Sequence, residues 1–213
     1  MKDTKENILQ VALGLFARDG YEAVSVSEIA GALGITKGAL YRHYAGKRDI
    51  FDSILARMEQ EDAERAGQYR LPEGTLAEMQ QAYRKASFRQ LTDFCRGQFR
   101  YWTEDPFASA FRRMLTLEQY RSREMAQLYQ QYLAAGPLGY TADLLAAWEV
   151  PQPKERAAAL YAPMFLLYSV YDGAADKAAV FALLEGCLQR AEAEWEKETP
   201  IRERRYKNEL CKK

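Results

Sequence analysis

The segment from Ser25 to Tyr44 constrains this chain more than any other. It holds two short apolar-periodic stretches separated by Leu33-Gly34-Ile35-Thr36. Ser25 and Glu28 stand three apart just before Ile29, Ala30 and Leu33, the spacing of a capping box at a helix start. Gly34 can take the left-handed conformation that stops such a helix. Thr36 can cap a third helix that runs to about His43. Two short helices joined by a glycine-containing turn of this length have the dimensions of a helix-turn-helix. Ala30 is small where the helices must cross closely, and Ile29, Leu33, Ile35, Leu40 and Tyr44 can share a core with Phe16. Leu40 and Tyr44, four apart, lie on the buried face of the third helix, whereas Lys37 with Tyr41, and Gly38 with Arg42, fall on other faces.

Helical periodicity extends on both sides, and no run of alternating β-branched residues between turn signals predicts a strand. Ile8, Leu9, Ala12, Leu13 and Phe16 form the stripe of a first helix, capped by Asp3 or Thr4 and ended by Gly20. Gly46 precedes a fourth helix carrying Ile50, Phe51, Ile54, Leu55 and Met58. Further helices are expected from Thr75 to about Glu104, Pro106 to Leu117, Ser122 to Ala135, onward to Trp148, Lys154 to Tyr171, and Asp176 to about Glu198. Gly136-Pro137 is expected to break the pattern, and Asp172-Gly173 to turn the chain. The fold class is therefore all-α: an N-terminal three-helix head carrying the helix-turn-helix, followed by a larger helical body. The head is assigned to residues 1–48 and the body to 49–199, with Ile50–Arg65 as a connecting helix and the head–body boundary near Gly67–Gly74. Residues 200–213 read as a charged, frayed tail.

Charge distribution says more than charge total. The 30 basic and 30 acidic residues cancel, yet Ile29 to Arg48 contains no acid while holding Lys37, Arg42, His43, Lys47 and Arg48. Such a patch is the local footprint of a nucleic-acid contact. Cys95, Cys187 and Cys211 lack metal-ligand spacing, and His43 is the sole histidine, so neither a metal site nor a cysteine–histidine or serine–histidine catalytic set is expected. No glycine-rich phosphate loop is present either. No cofactor and no enzymatic activity are expected. The N-terminus lacks the apolar stretch of a signal peptide, and no apolar run is long enough to span a bilayer. A cytoplasmic protein with free thiols is the expectation.

The third helix is the candidate recognition helix. Lys37, Tyr41 and Arg42 are placed to reach base edges, and Gly38 leaves room for the backbone to approach a major groove. Thr36 and Lys47, each at a helix start, are candidates for phosphate. His43 can support the head or touch phosphate. Ser25 and Ala39 complete the candidate DNA-contacting set. In an arbitrary helix Lys37 and Arg42 would be solvated charges; the surrounding constellation favours DNA. From Val26-Ser27-Glu28-Ile29-Ala30 through Gly34-Ile35-Thr36-Lys37-Gly38-Ala39-Leu40-Tyr41-Arg42-His43-Tyr44 to Lys47, the head resembles the tetracycline-repressor family. Tyr44 stands where that family commonly has Phe, and Gly46 where a capping Ser is frequent. The resemblance implies an all-helical dimer with a ligand-binding body, and DNA contacts from Thr36, Lys37, Tyr41, Tyr44 and Lys47.

The body is rich in aromatic residues. Trp102, Phe107, Phe111, Met114 and Tyr120 are candidates to line a ligand cavity, with Tyr129, Tyr132, Trp148, Phe165 and Tyr168; plain helical core is the competing reading of each. Arg112, Arg113 and Glu118 can supply charge there or sit on the surface. The last two helices carry wide apolar stripes, from which Tyr161, Met164, Tyr171, Phe181, Leu184 and Leu188 are assigned to a four-helix homodimer interface. Two heads about one helical turn apart would read a palindromic operator. The expected function is a repressor released by a small-molecule effector in the body. The alternative is a DNA-binding regulator or architectural protein controlled by a protein partner.

Overall fold

The computed structural model describes the backbone of residues 4–68, 82 and 85–210, and their side chains except those of 66 and 199–210. The described residues form helices and no strand. In chain order they are α1 (Thr4–Asp19), α2 (Val26–Ala32), α3 (Lys37–Tyr41), α4 (Lys47–Gln68), α5 (Phe88–Glu104), α6 (Pro106–Glu118), α7 (Arg123–Leu133), α8 (Ala135–Ala147), α9 (Pro153–Gly173) and α10 (Lys177–Leu210). None is long and apolar enough to cross a membrane. They fall into two compact units, one of residues 1–68 and 100–137, the other of 69–99 and 138–213. The head expected over 1–48 lies wholly inside the first unit, which also takes in α6 and α7.

Local signals set most helix ends. Ser25 and Glu28 close the capping box, Ser25 N–H donating to the Glu28 carboxylate at 2.7 Å and Glu28 N–H to Ser25 Oγ at 3.2 Å. Thr36 Oγ1 accepts from Ala39 N–H, and Asp105 accepts from the N–H groups of Phe107 and Ala108 ahead of Pro106. The long helix expected from Thr75 is different. Residues 75–81, 83 and 84 lie outside the described residues, as does most of the expected Gly67–Gly74 boundary, and α5 begins only after Ser87. There Ser87 and Gln90 form a second capping box, with bonds of 2.8 and 3.2 Å. The break expected at Gly136-Pro137 comes earlier, at Ala134, so that Pro137 sits in the first turn of α8, where its missing N–H costs nothing. Gly136 is required there, because a Cβ would lie 2.0 Å from the Gln131 carbonyl oxygen. The frayed tail is not observed: α10 continues to residue 210, consistent with a segment rich in Glu, Lys and Arg, all good helix formers. Asp3 and residues 211–213 lie outside the described residues.

In the first unit the apolar stripe of α1 is buried as expected, together with Ile29, Leu40, Ile50, Phe51 and Ile54. Tyr21 packs between Phe16 and Phe51, ring centroids 5.1 and 5.0 Å away. Beyond α2 and α4, α1 packs along α6. At the end of that contact Glu118, 1% exposed, accepts from Tyr21 N–H at 3.1 Å and from Arg121 at 2.9 Å. In the second unit Phe99 is buried among Tyr168, Tyr171 and Phe181. Arg96 on α5 bonds Glu185 and Glu192 on α10 at 2.8–3.0 Å. Cys95 is buried, which pushes its thiol up to about 12.

Two substitutions test these keystones. Glu118→Ala leaves the Tyr21 N–H buried without its acceptor, and is expected to lower stability by about 1–3 kcal/mol in urea titrations. Gly136→Ala is expected to cost about 1–3 kcal/mol as well, because the neighbouring backbone must move.

Candidate nucleic-acid interface

The α2–turn–α3 geometry follows from the caps just described. Gly34 adopts φ +66°, and its N–H donates to Gly31 O while Ile35 N–H donates to Ala30 O. Leu40 is fully buried and pins one face of α3 to the head. The helix tightens after Tyr41, where Arg42 N–H donates to Ala39 O and His43 N–H to Leu40 O. Thr36, Lys37, Gly38, Tyr41 and Arg42 are thereby exposed on the opposite side. Tyr41 is 49% exposed.

Exposure alone does not distinguish this face; pairing does. Around it Arg18 pairs with Asp19 at 2.6 Å, and Arg48 with Glu124 and Asp52 at 2.8 Å. The Glu124 hydrogen bonds raise the Arg48 pKa further above its ordinary value. Arg57 pairs with Glu61 and Glu6. Lys37 and Arg42, by contrast, make no hydrogen bond or ion pair among the described residues. The face combines two unpaired cations, an exposed tyrosine and a side-chain-free gap at Gly38. Such a surface can donate to phosphates and base edges while letting the helix approach closely.

Three expected contacts are placed differently. Tyr44 is 6% exposed, with its hydroxyl donating to Lys5 O at 3.3 Å. It belongs to the core, as its spacing from Leu40 predicted, and does not line the exposed face. Lys47 turns inward: its ammonium donates to Tyr21 O at 2.9 Å and Glu22 O at 3.3 Å, and lies 4.4 Å from the Tyr21 ring centre. Carbonyls at the end of the α1–α2 turn attract the cation, a use the resemblance did not indicate. Ser25 is exposed, but its hydroxyl is already occupied by the cap. Ala39 and His43 are half-buried.

The body residues also sort themselves. Trp102, Phe111 and Tyr132 pack on one another at centroid distances of 5.3–6.4 Å, and burial pushes the Tyr132 phenol up to about 12. Phe107 lies under the Arg57 guanidinium at 3.7 Å, and Met114 is buried. Tyr129 is half-buried. Tyr120 is 89% exposed and Phe165 lies exposed on the outer face of α9, so neither lines a cavity within the protomer. Tyr168 stacks on Phe99, while Trp148 meets Phe88 and Trp195 edge-on. Arg112 and Glu118 are buried, Arg112 donating to Trp102 O at 3.0 Å. Of the residues expected at a dimer interface, Tyr161, Met164, Leu184 and Leu188 are buried within the protomer, and Tyr171 and Phe181 pack around Phe99. Among the described residues, the large apolar side chains left exposed on these helices are Phe165, Leu166 and Val170 of α9 and Leu183 of α10. Sequence periodicity found the inward stripe because its residues are the larger ones; the outward stripe is diluted by Ala158, Ala162 and Ser169.

The model of the bacterial regulatory proteins of the tetR family matches residues 8–54, from the buried face of α1 into α4. Over 53 residues the chain is 45% identical to the HTH-type transcriptional regulator AcrR of Shigella flexneri, covering 25% of each protein. Over 61 residues it is 34% identical to the nucleoid occlusion factor SlmA of Actinobacillus pleuropneumoniae, covering 28% of this chain and 30% of that one. The match thus spans only about a quarter to a third of the length of these relatives. Over most of its length the chain is similar in fold to AmtR of Mycobacterium smegmatis, with a TM-score of 0.59 at 20% identity, 88% of this chain and 86% of that one being covered. It is similar also to SmeT in a complex with triclosan, with a TM-score of 0.57 at 17% identity, covering 88% and 90%. Residues 8–54 are thus similar to the tetR family of bacterial regulatory proteins, and the helical body that follows shares its fold with AmtR and SmeT.

Proposed function

We propose that this protein is a transcriptional regulator that binds a palindromic DNA operator as a homodimer and is released by a small molecule held in its helical body. The unpaired, acid-free face of α3 carries this reading. Its exposed Lys37, Tyr41 and Arg42 are the base-reading candidates, and Thr36 and Gly38 bring the backbone close. One such helix supplies little sequence information, whereas two related by a two-fold axis read two half-sites.

The exposed apolar positions of α9 and α10 support the dimer. Ala158, Ala162, Phe165, Leu166, Ser169 and Val170 recur at spacings of three and four on the outer face of α9, the pattern of a helix that packs on another helix. Leu183 adds to it from α10. A second copy of the same face would bury this stripe as a four-helix interface. Release by a ligand then requires only that the ligand bind more tightly to a dimer whose heads stand at another separation. By linkage, operator DNA weakens that ligand by the same factor. A second reading, control of a DNA-bound protein without a small molecule, is favoured by the similarity of the head to that of a nucleoid occlusion factor.

Selection of bound duplexes from a random library tests the proposal. The expected outcome is an enriched palindrome bound by a dimer in sedimentation; salt-sensitive binding without enrichment would reject a sequence-reading regulator. Point variants then separate the roles. Lys37→Ala is expected to cost about 1–3 kcal/mol of operator affinity and to relax preference at one position of the half-site. Lys47→Ala is expected to lower the melting temperature of the free protein through loss of its bonds to the α1–α2 turn, while the salt slope of DNA binding stays within about half a unit of the parent. A slope reduced by about one would show instead that Lys47 reaches a phosphate.

A further inference from the structure

In the second unit a groove of about 460 Å³ opens between α9 and α10, within the usual range of small-molecule sites, about 300–1,000 Å³. Its two long walls are helix faces. Arg156, Ala159, Leu160 and Pro163 line it from α9, and Cys187, Arg190, Ala191, Glu194, Trp195 and Glu198 from α10, each set at helical three-and-four spacing. The space exists because Ala159, Pro163 and Ala191 put little side chain where the two helices face it.

The groove is chemically divided. One part is aromatic: the Trp195 indole stacks on Phe88 with centroids 4.4 Å apart and planes 7° from parallel. Trp148 holds both rings edge-on at 6.4 and 5.3 Å. Leu145 and Leu160, both buried, complete the apolar lining. The other part is a charged rim whose two arginines are not equivalent. Arg156 is spent on Glu198 through bonds of 2.6 and 3.1 Å. Arg190 is exposed, and its guanidinium meets only neutral acceptors, the Gly186 carbonyl at 3.2 Å and Cys187 Sγ at 3.5 Å. It makes no ion pair among the described residues. A guanidinium so placed beside an apolar slot suits a carboxylate, which it can bind through two parallel hydrogen bonds. Glu194, exposed on the same rim, disfavours a second negative charge.

We infer that this groove is a binding site for a small aromatic monocarboxylate, with its ring system against Trp195 and Phe88 and its carboxylate on Arg190. Binding stands on the groove alone; its regulatory consequence rests on the ligand-released reading above. The consequence is direct, because Ala159 and Pro163 adjoin the exposed Ala158 and Ala162 of the outer face of α9. An occupant that spreads α9 from α10 alters the surface assigned to the second copy.

The test uses the full-length protein and naphthalene-2-carboxylate as the probe, read by calorimetry and by quenching of tryptophan emission. Saturable binding is expected. Arg190→Gln, at an exposed position that does not support the fold, should weaken it about tenfold, the loss of a charge-assisted hydrogen bond. Ala191→Leu should abolish it by filling the slot. The neutral naphthalene-2-carboxamide should bind more weakly and be indifferent to Arg190→Gln. No saturable binding, or binding that neither variant changes, overturns the assignment. A shift of both variants towards monomer, with naphthoate binding unchanged, also overturns it and shows that a second copy covers the groove. Operator binding measured in parallel keeps the two readings apart. Naphthoate bound without effect on the selected operator would leave the site intact and reject ligand release. Operator binding with no naphthoate site would do the reverse.

Discussion

The corner between α1 and α2 governs how the candidate DNA-facing surface is held. Gly20 turns the chain there at φ +91°, a conformation that strains any residue with a Cβ. A Cβ there would also displace the ends of two side chains, lying 2.5 Å from both the Glu118 carboxylate and the Arg121 guanidinium. That close approach lets Tyr21 N–H reach Glu118, a carboxylate too deeply buried to be tolerated without donors. The Tyr21 ring then fills the gap between α1 and α4, and the Lys47 ammonium closes over it onto the Tyr21 carbonyl. Three helices are fixed by one corner. The candidate recognition helix α3 packs on α2, and α2, α4 and α6 all pack on α1.

How much of this was legible in the sequence depended on the range of the interaction. The head was readable almost residue by residue, because its structure is written in local signals: the Ser25–Glu28 box, the Gly34 turn, the Thr36 cap, and the four-residue spacing of Leu40 and Tyr44. The second capping box at Ser87 and Gln90 was equally local and could have been read as the start of α5. The role of Lys47 could not, since it depends on the carbonyls of residues 21 and 22, brought near only by the tertiary fold. Burial of Glu118 and Arg112 was hidden for the same reason: a charged residue on a helix reads as surface until its partner, ninety-seven residues away in the Tyr21–Glu118 case, is known. In α9 and α10, periodicity showed that apolar stripes exist but could not say which stripe faces inward.

Net charge is a poor guide to partners in this protein, and the ion pairs explain why. The cations that flank the head or stiffen the second unit are matched locally: Arg48 with Glu124, Arg57 with Glu61, Arg96 with Glu185 and Glu192, Arg156 with Glu198. Such pairs are partly exposed and individually worth little. They do, however, cancel the field that those residues would otherwise project. Lys37 and Arg42 on α3 and Arg190 on the groove are among the described cations that make no ion pair, and they keep the field that the paired ones lose. A chain with equal numbers of acids and bases can still present a basic face to DNA, provided that the acids are engaged elsewhere.

The placement of the groove bears on how a regulator of this kind could be switched at low energetic cost. Moving a head against α1, α4 and α6 would break buried hydrogen bonds and well-packed aromatic contacts, so the first unit is suited to move as a piece. The outer face of α9 is different: alanines and a serine interleave its larger side chains, and such a surface can re-pack against a copy of itself with little loss of contact area. On the proposed reading, a ligand wedged between α9 and α10 would act on that adaptable surface and leave the rigid corner intact. Two dimer packings that differ by only a few kcal/mol would suffice, since a differential affinity of about 100-fold, roughly 2.7 kcal/mol, already shifts a balanced equilibrium almost completely. Within the first unit the rigid corner would keep α3 fixed on its neighbours, so that on the proposed reading a changed head separation would displace each candidate recognition helix without deforming it.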